Sequence, residues 1–162
     1  MGSKDIFDEE DIKRIQSEYD SLVKNLIRCK NPGDRELIDK AFNVANKAHW
    51  NMRRKSGEPY ILHPISVAKI VNQEIGLGAR SIATALLHDA VEDTDYTLEE
   101  VNKDFGPKIA SLIDGLTKIS GTYNKGTSSS MQAENFRRML LTLSDDLRVI
   151  LIKIADRLHN MR

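Results

Sequence analysis

ATALLHDAVED, residues 83–93, is the stretch whose reading decides the fold. An α-helix turns by about 100° per residue, so with His88 at the origin Glu92 lies near 40°, Asp89 near 100° and Asp93 near 140°. Only the small Ala85 shares that sector. Leu86, Ala83, Ala90, Leu87 and Val91 fill roughly 160° to 300°, which is a core face. Apolar behind and ionisable in front, such a helix can line a polar cavity. The pattern alone also describes an ordinary surface helix carrying a histidine and three acids.

Two further stretches add to it. RVILIKIADRLHNMR, residues 148–162, is apolar almost all round, which predicts a buried helix. Asp156, Asn160 and Lys153 fall on one stripe of about 60°. A buried aspartate is costly unless it is paired or bound to a metal. Arg157 or Lys153 could supply the pair; the HDAVED run favours a metal. His159 lies about 60° to the other side, as a core histidine or one supporting a ligand. In RRKSGEPYILHP, residues 53–64, Pro64 suits a first helical turn and puts His63 at the entrance of that helix. Ser56-Gly57-Glu58-Pro59 is a turn cluster. Arg53, Arg54 and Lys55 make either a solvated patch or a clamp for an anionic, phosphate-bearing substrate. Together His63, His88, Asp89 and Asp156 form a mixed N/O donor set suited to Mn²⁺, Fe²⁺ or Zn²⁺. Glu92 and Asp93, one turn away, are the acids that metal-assisted hydrolysis needs to manage protons.

Composition fits an enzyme domain. At 162 residues one domain with a real core is expected. Formal charge is zero, from 24 basic and 24 acidic residues, so no global field favours nucleic acid or a membrane. Cys29 is the one cysteine; it cannot form an internal disulfide, and burial in a helix within a reducing cytosol is expected. No apolar run has the length of a membrane span and no signal peptide appears, which points to the cytoplasm. Helical spacing predicts an N-terminal helix over 5–30, ended by Asn31-Pro32-Gly33. Further helices are expected over 34–51, 64–75 and 79–92. Thr97 and Glu100 form a capping box for a short helix to Phe105. Pro107 starts another through about Thr117. SGTYNKGTSSS, residues 120–130, reads as a flexible loop, either a plain connection or a lid. Helix resumes over 131–142, and Ser144 caps the last one.

KSGEPYILHP, LLHDAVEDTDYTLEEV, FGPKIASLIDGLTKIS and RVILIKIADRLHNMR follow one another in this order. Together they resemble the HD hydrolase domain of the RelA/SpoT homologue family, from about Asp34 to Arg162. The resemblance implies an all-α HD-domain phosphohydrolase, a helical bundle. It implies a bacterial, cytoplasmic enzyme that removes pyrophosphate from the 3′ position of ppGpp or pppGpp, giving GDP or GTP and ending the stringent response. It implies one divalent metal per chain, Mn²⁺, on His63, His88, Asp89 and Asp156. Glu92 and Asp93 match the acid pair that activates water. Arg54, Lys55 and Asn160 match nucleotide contacts. The family's long enzymes continue into synthetase and regulatory domains, and segments near 120–130 take part in switching between the two activities. This chain stops within an apolar helix without a Gly or Pro stop signal. The expectation is therefore a single HD hydrolase domain over 1–162, helix 5–30 plus core 34–162, from a longer enzyme whose next helices complete the nucleotide pocket. The rival readings are another HD-type nucleotide phosphohydrolase and a non-catalytic alarmone-binding regulatory fragment. GEPYILHP and ADRLHNMR argue against the first, and intact Glu92 and Asp93 against the second.

Overall fold

Asp8 starts the first helix, α1 (Glu9–Lys24), through a reciprocal capping box with Asp11. Asp8 Oδ1 accepts from the Asp11 amide at 2.8 Å, and Asp11 Oδ2 from the Asp8 amide at 3.1 Å. Ile15, Tyr19 and Leu22 form its buried stripe. In this computed structural model, residues 6–125 and 147–161 are described, with side chains described through Lys118 and from Leu147 onward.

α1 ends at Lys24, short of the expected residue 30. The cause is Asn72, which is fully buried and reaches across to the chain after α1. Its amide donates to the Asn25 carbonyl at 2.9 Å and its Oδ1 accepts from the Ile27 amide at 3.1 Å. Backbone groups that would have continued the helix are satisfied sideways instead. α2 (Asp34–Ala48) buries Ile38, Ala41, Phe42 and Ala45. Phe42 stacks on Tyr19 with ring centroids 3.8 Å apart. The helix stops three residues before the expected 51, where Asn51 takes a left-handed φ of 65° and accepts from the Phe7 amide at 2.9 Å. α3 (Leu62–Lys69) begins two residues earlier than expected and runs into a π-helical turn, Ile70–Ile75. Gly76 closes that turn at φ 82°, a conformation that needs a residue without Cβ.

α4 (Ala79–Asp93) is the centre of the bundle, packed against α2, α3, α6 (Pro107–Lys125) and α7 (Leu147–Met161). Every residue from Ser81 to Ala90 is buried. α5 (Leu98–Phe105) starts at the expected Thr97–Glu100 capping box. α6 continues to Lys125, through part of the stretch expected as a loop. Gly115 and Gly121 cost about 1 kcal/mol each in a helix interior. Burial of Ile109, Leu112, Ile113 and Leu116 at helical spacing offsets that cost. Residues 126–130, the expected helix over 131–142 and the Ser144 cap lie outside the described residues. The apolar pattern of α7 predicts burial all round, and here the structure differs. The helix buries Val149, Ile152, Ala155 and Asp156, while Leu147, Ile154 and Met161 are exposed. Among the described residues the architecture is all-α; the only strand-like pairing is an isolated bridge between Arg53 and Pro59. No described helix is long and apolar enough to cross a membrane. Cys29 is half-buried, and burial pushes its thiol up.

The loop between α2 and α3 is held by the start of α1. Arg53 donates to Asp11 Oδ2 at 2.6 Å, to the Ile6 carbonyl at 2.9 Å and to the Gly57 carbonyl at 3.0 Å. Its guanidinium also covers the Phe7 ring at 5.3 Å. Gly57 turns the loop at φ 94°. Arg53→Met is expected to lower stability by about 1–3 kcal/mol, since Asp11 is left half-buried without its partner. Urea unfolding at pH 7 checks it. The Arg53 hydrogen bond holds the Asp11 carboxyl below its ordinary 3.8. A lowered folded value means that this stability is present above 3.8 and fades as pH falls through the folded value. The gap between the two proteins should therefore shrink in acid.

Candidate metal centre

α4 aims its functional groups by default. Leu86 and Leu87 are fully buried and fix the rotation of the helix, which turns His88 and Asp89 into the interior beside them. His63 sits in the first turn of α3, with its amide on the Tyr60 carbonyl at 3.0 Å. Asp156 comes from the buried face of α7. Three helices thus converge on four buried side chains: His63, His88, Asp89 and Asp156.

The distances are those of a cluster. His63 Nε2 lies 2.7 Å from Asp156 Oδ1 and 3.6 Å from Asp89 Oδ2. One donor atom each from His63, Asp89 and Asp156 falls within 4.8 Å of the others. His88 Nε2 lies 3.2 Å from Asp89 Oδ1 and 3.8 Å from Asp156 Oδ1. Its Nδ1 meets the Ala85 carbonyl at 2.9 Å. A carbonyl can only accept, so Nδ1 carries a proton and Nε2 of the neutral ring is left as a lone pair. That Nε2 is buried with no hydrogen-bond partner. An orphaned, lone-pair nitrogen facing two buried carboxylates fits a divalent cation, whose charge the two aspartates would offset.

The local field has the same character. Burial opposes charge on His88, but Asp89 and Asp156 outweigh it and push the imidazole up to about 9, so a cation would take the place of the second proton on Nε2. Burial also opposes ionisation of Asp156, yet the His63 and His88 imidazoles beside it hold it well below the carboxylate range. Lys153 adds a contact to Asp156 Oδ2 at 3.2 Å, so the aspartate has the lysine partner that its spacing allowed as well as the histidine. Glu92 and Asp93 leave the cluster on the last turn of α4 and stay accessible to solvent. Partial desolvation and the nearby Asp89 charge push both carboxyl groups up, which raises their affinity for a proton.

Of the expected substrate groups, Arg54 donates to Asn160 Oδ1 at 3.2 Å. That contact joins the α2–α3 loop to the last turn of α7 beside the cluster. Lys55 is exposed on the same loop. Two further residues join the site that the motifs do not single out. Tyr60 donates its hydroxyl toward Asp93 Oδ2 at 3.1 Å and Asp89 Oδ2 at 3.3 Å, linking the acid pair to the cluster. Its place three residues before His63 was the available signal. His49 is fully buried, stacks on Tyr60 at 4.8 Å and is pulled down to about 4 by burial. Nothing in its local sequence marks it.

The HD domain family model matches residues 41–162. The chain belongs to the HD domain family. This HD domain is 50% identical over 126 residues to a probable guanosine-3′,5′-bis(diphosphate) 3′-pyrophosphohydrolase of Synechocystis sp., covering 78% of the chain and 16% of that protein. It is 48% identical over 132 residues to a GTP pyrophosphokinase of Myxococcus xanthus, covering 80% and 17%. It is 41% identical over 154 residues to the guanosine-3′,5′-bis(diphosphate) 3′-pyrophosphohydrolase of Aquifex aeolicus, covering 95% and 20%. These relatives are of the RelA/SpoT type, as the motifs implied. The chain spans a fifth or less of their length.

Proposed function

We propose that residues 1–162 form one HD hydrolase domain that removes the 3′-diphosphate of guanosine 3′,5′-bis(diphosphate), or of its pentaphosphate form, as pyrophosphate. His63, His88, Asp89 and Asp156 hold one divalent cation, Mn²⁺ the expected ion. The observation that carries this reading is the buried, partnerless Nε2 of His88 facing Asp89 and Asp156. It occurs in a chain 41–50% identical to proteins named for that hydrolysis. The cation, when bound, supplies Lewis acidity that polarises a phosphate oxygen and makes water easier to deprotonate.

The chain's own residues supply the rest. Glu92 or Asp93 takes the proton as water attacks the phosphorus on the ribose 3′ oxygen. The P–O bond to that oxygen breaks, pyrophosphate leaves, and the 3′ oxygen is protonated, giving GDP or GTP. Tyr60 holds Asp93 against Asp89. Arg54 and Lys55 offer cations to the nucleotide's phosphates or a flat guanidinium to its base. Asn160 fixes Arg54. The greater length of the relatives supports a domain that works within a longer enzyme, and the synthetase and regulatory domains and the cytoplasmic setting are what the motifs imply for it.

The test is hydrolysis of ppGpp, GTP and dGTP by the Mn²⁺-loaded protein. Pyrophosphate released from ppGpp alone is expected. Turnover of GTP or dGTP with ppGpp untouched would replace this reading with that of another HD nucleotide phosphohydrolase. Binding of ppGpp without turnover would leave a regulatory module.

A further inference from the structure

The two cluster histidines are oriented by different kinds of partner. His88 has its Nδ1 on a backbone carbonyl, Ala85, at 2.9 Å. That acceptor cannot change role. His63 has its Nδ1 2.6 Å from Nδ1 of His159, with the rings 4.8 Å apart and tilted by 31°. An imidazole nitrogen is a donor or an acceptor depending on where its proton sits. At this separation one proton lies between the two nitrogens, and which ring carries it decides what His63 can do.

Two neutral arrangements satisfy the contact. In one, His159 carries the proton on Nδ1 and donates. His63 then has its own proton on Nε2, where it bonds to Asp156 Oδ1 at 2.7 Å. That form is a histidine–aspartate pair, and its Nε2 has no lone pair for a cation. In the other, His63 carries the proton on Nδ1 and donates to His159. Its Nε2 is then a lone pair aimed at Asp156 and Asp89. His159 must in that case accept, with its proton on Nε2. Only the second arrangement makes His63 a ligand.

We infer that His159 is a positioning residue for the metal centre: by accepting the Nδ1 proton of His63, it holds that ring in the one tautomer that can ligate. This rests on the reading of the cluster as a metal site. His159 lies three residues after Asp156 on α7, so a single helix brings both a carboxylate and the group that orients the facing imidazole. His159 is half-buried, so its ring is constrained by packing and holds the contact without being a ligand itself.

Partners that orient ligating histidines typically matter by about 10–100-fold in metal affinity. The test titrates Mn²⁺ alone into the whole chain, in wild type, His159→Leu and His159→Asn. Leucine fills space without accepting. Asparagine places a carbonyl Oδ1 near the position of the imidazole Nδ1. The expected result is an affinity loss of about 10–100-fold in His159→Leu, largely recovered in His159→Asn. Wild-type affinity in His159→Leu, or equal losses in both variants, would overturn the inference. A second readout needs no variant. ¹⁵N NMR of the wild-type protein loaded with diamagnetic Zn²⁺ should show His63 protonated on Nδ1 and His159 on Nε2. A proton on Nδ1 of His159 would overturn the inference even if the leucine variant failed to fold. Wild type that takes up no metal would instead overturn the reading of the cluster itself.

Discussion

His88→Ala is expected to abolish stoichiometric metal binding. Wild type dialysed against Mn²⁺ should hold about one ion per chain, since the cluster offers one set of mixed donors around two carboxylates. His88 contributes a buried nitrogen that nothing in the described protein satisfies. Its removal leaves His63, Asp89 and Asp156, and His63 already has a hydrogen-bonded alternative on Asp156. Stability gives an independent reading. A cation at 100 times its dissociation constant stabilises a folded protein by about 2.7 kcal/mol. At about 2–4 °C per kcal/mol for a chain of this size, the wild-type melting temperature should rise by roughly 5–11 °C on adding Mn²⁺. His88→Ala should show no such rise. Because His88 is buried, the variant will also melt lower without added metal, so each protein is compared with itself. Unchanged metal content in His88→Ala would remove the ligand assignment.

The centre was legible where chemistry is local in the chain. The phase of HDAVED on one helix fixed which side chains face inward, because Leu86 and Leu87 leave α4 no other rotation. The capping box at Thr97 was equally local, two side chains and two amides within four residues. Expectations slipped where a distant residue decides. α1 ends early because Asn72, about fifty positions away, captures the backbone at Asn25 and Ile27. α6 outruns its expected end and runs on through Gly121 to Lys125, although a glycine in a helix interior costs about 1 kcal/mol. Tyr60, His49 and the His159–His63 contact depend on which helices meet, and periodicity carries no information about that.

Glu92→Gln together with Asp93→Asn is expected to keep the metal and lose the chemistry. Neither carboxylate is among the four buried side chains that converge from three helices, His63, His88, Asp89 and Asp156. Both sit on the solvent side of the last turn of α4, beside the cluster. Their carboxyl groups are pushed up by partial desolvation and by Asp89, which suits them to accept a proton from water. The amide replacements preserve size. In Asp93→Asn the new side chain still offers an oxygen to the Tyr60 hydroxyl, so the link to Asp89 can survive. What the amides cannot do is take a proton. Loss of general-base assistance lowers turnover by about 10² or more. Mn²⁺ stoichiometry and the metal-dependent rise in melting temperature should match wild type. The two readouts separate the alternatives. A double variant that binds metal normally and hydrolyses ppGpp at the wild-type rate would exclude both acids from the mechanism. One that loses its metal would show that they act on the cation's affinity instead of on water.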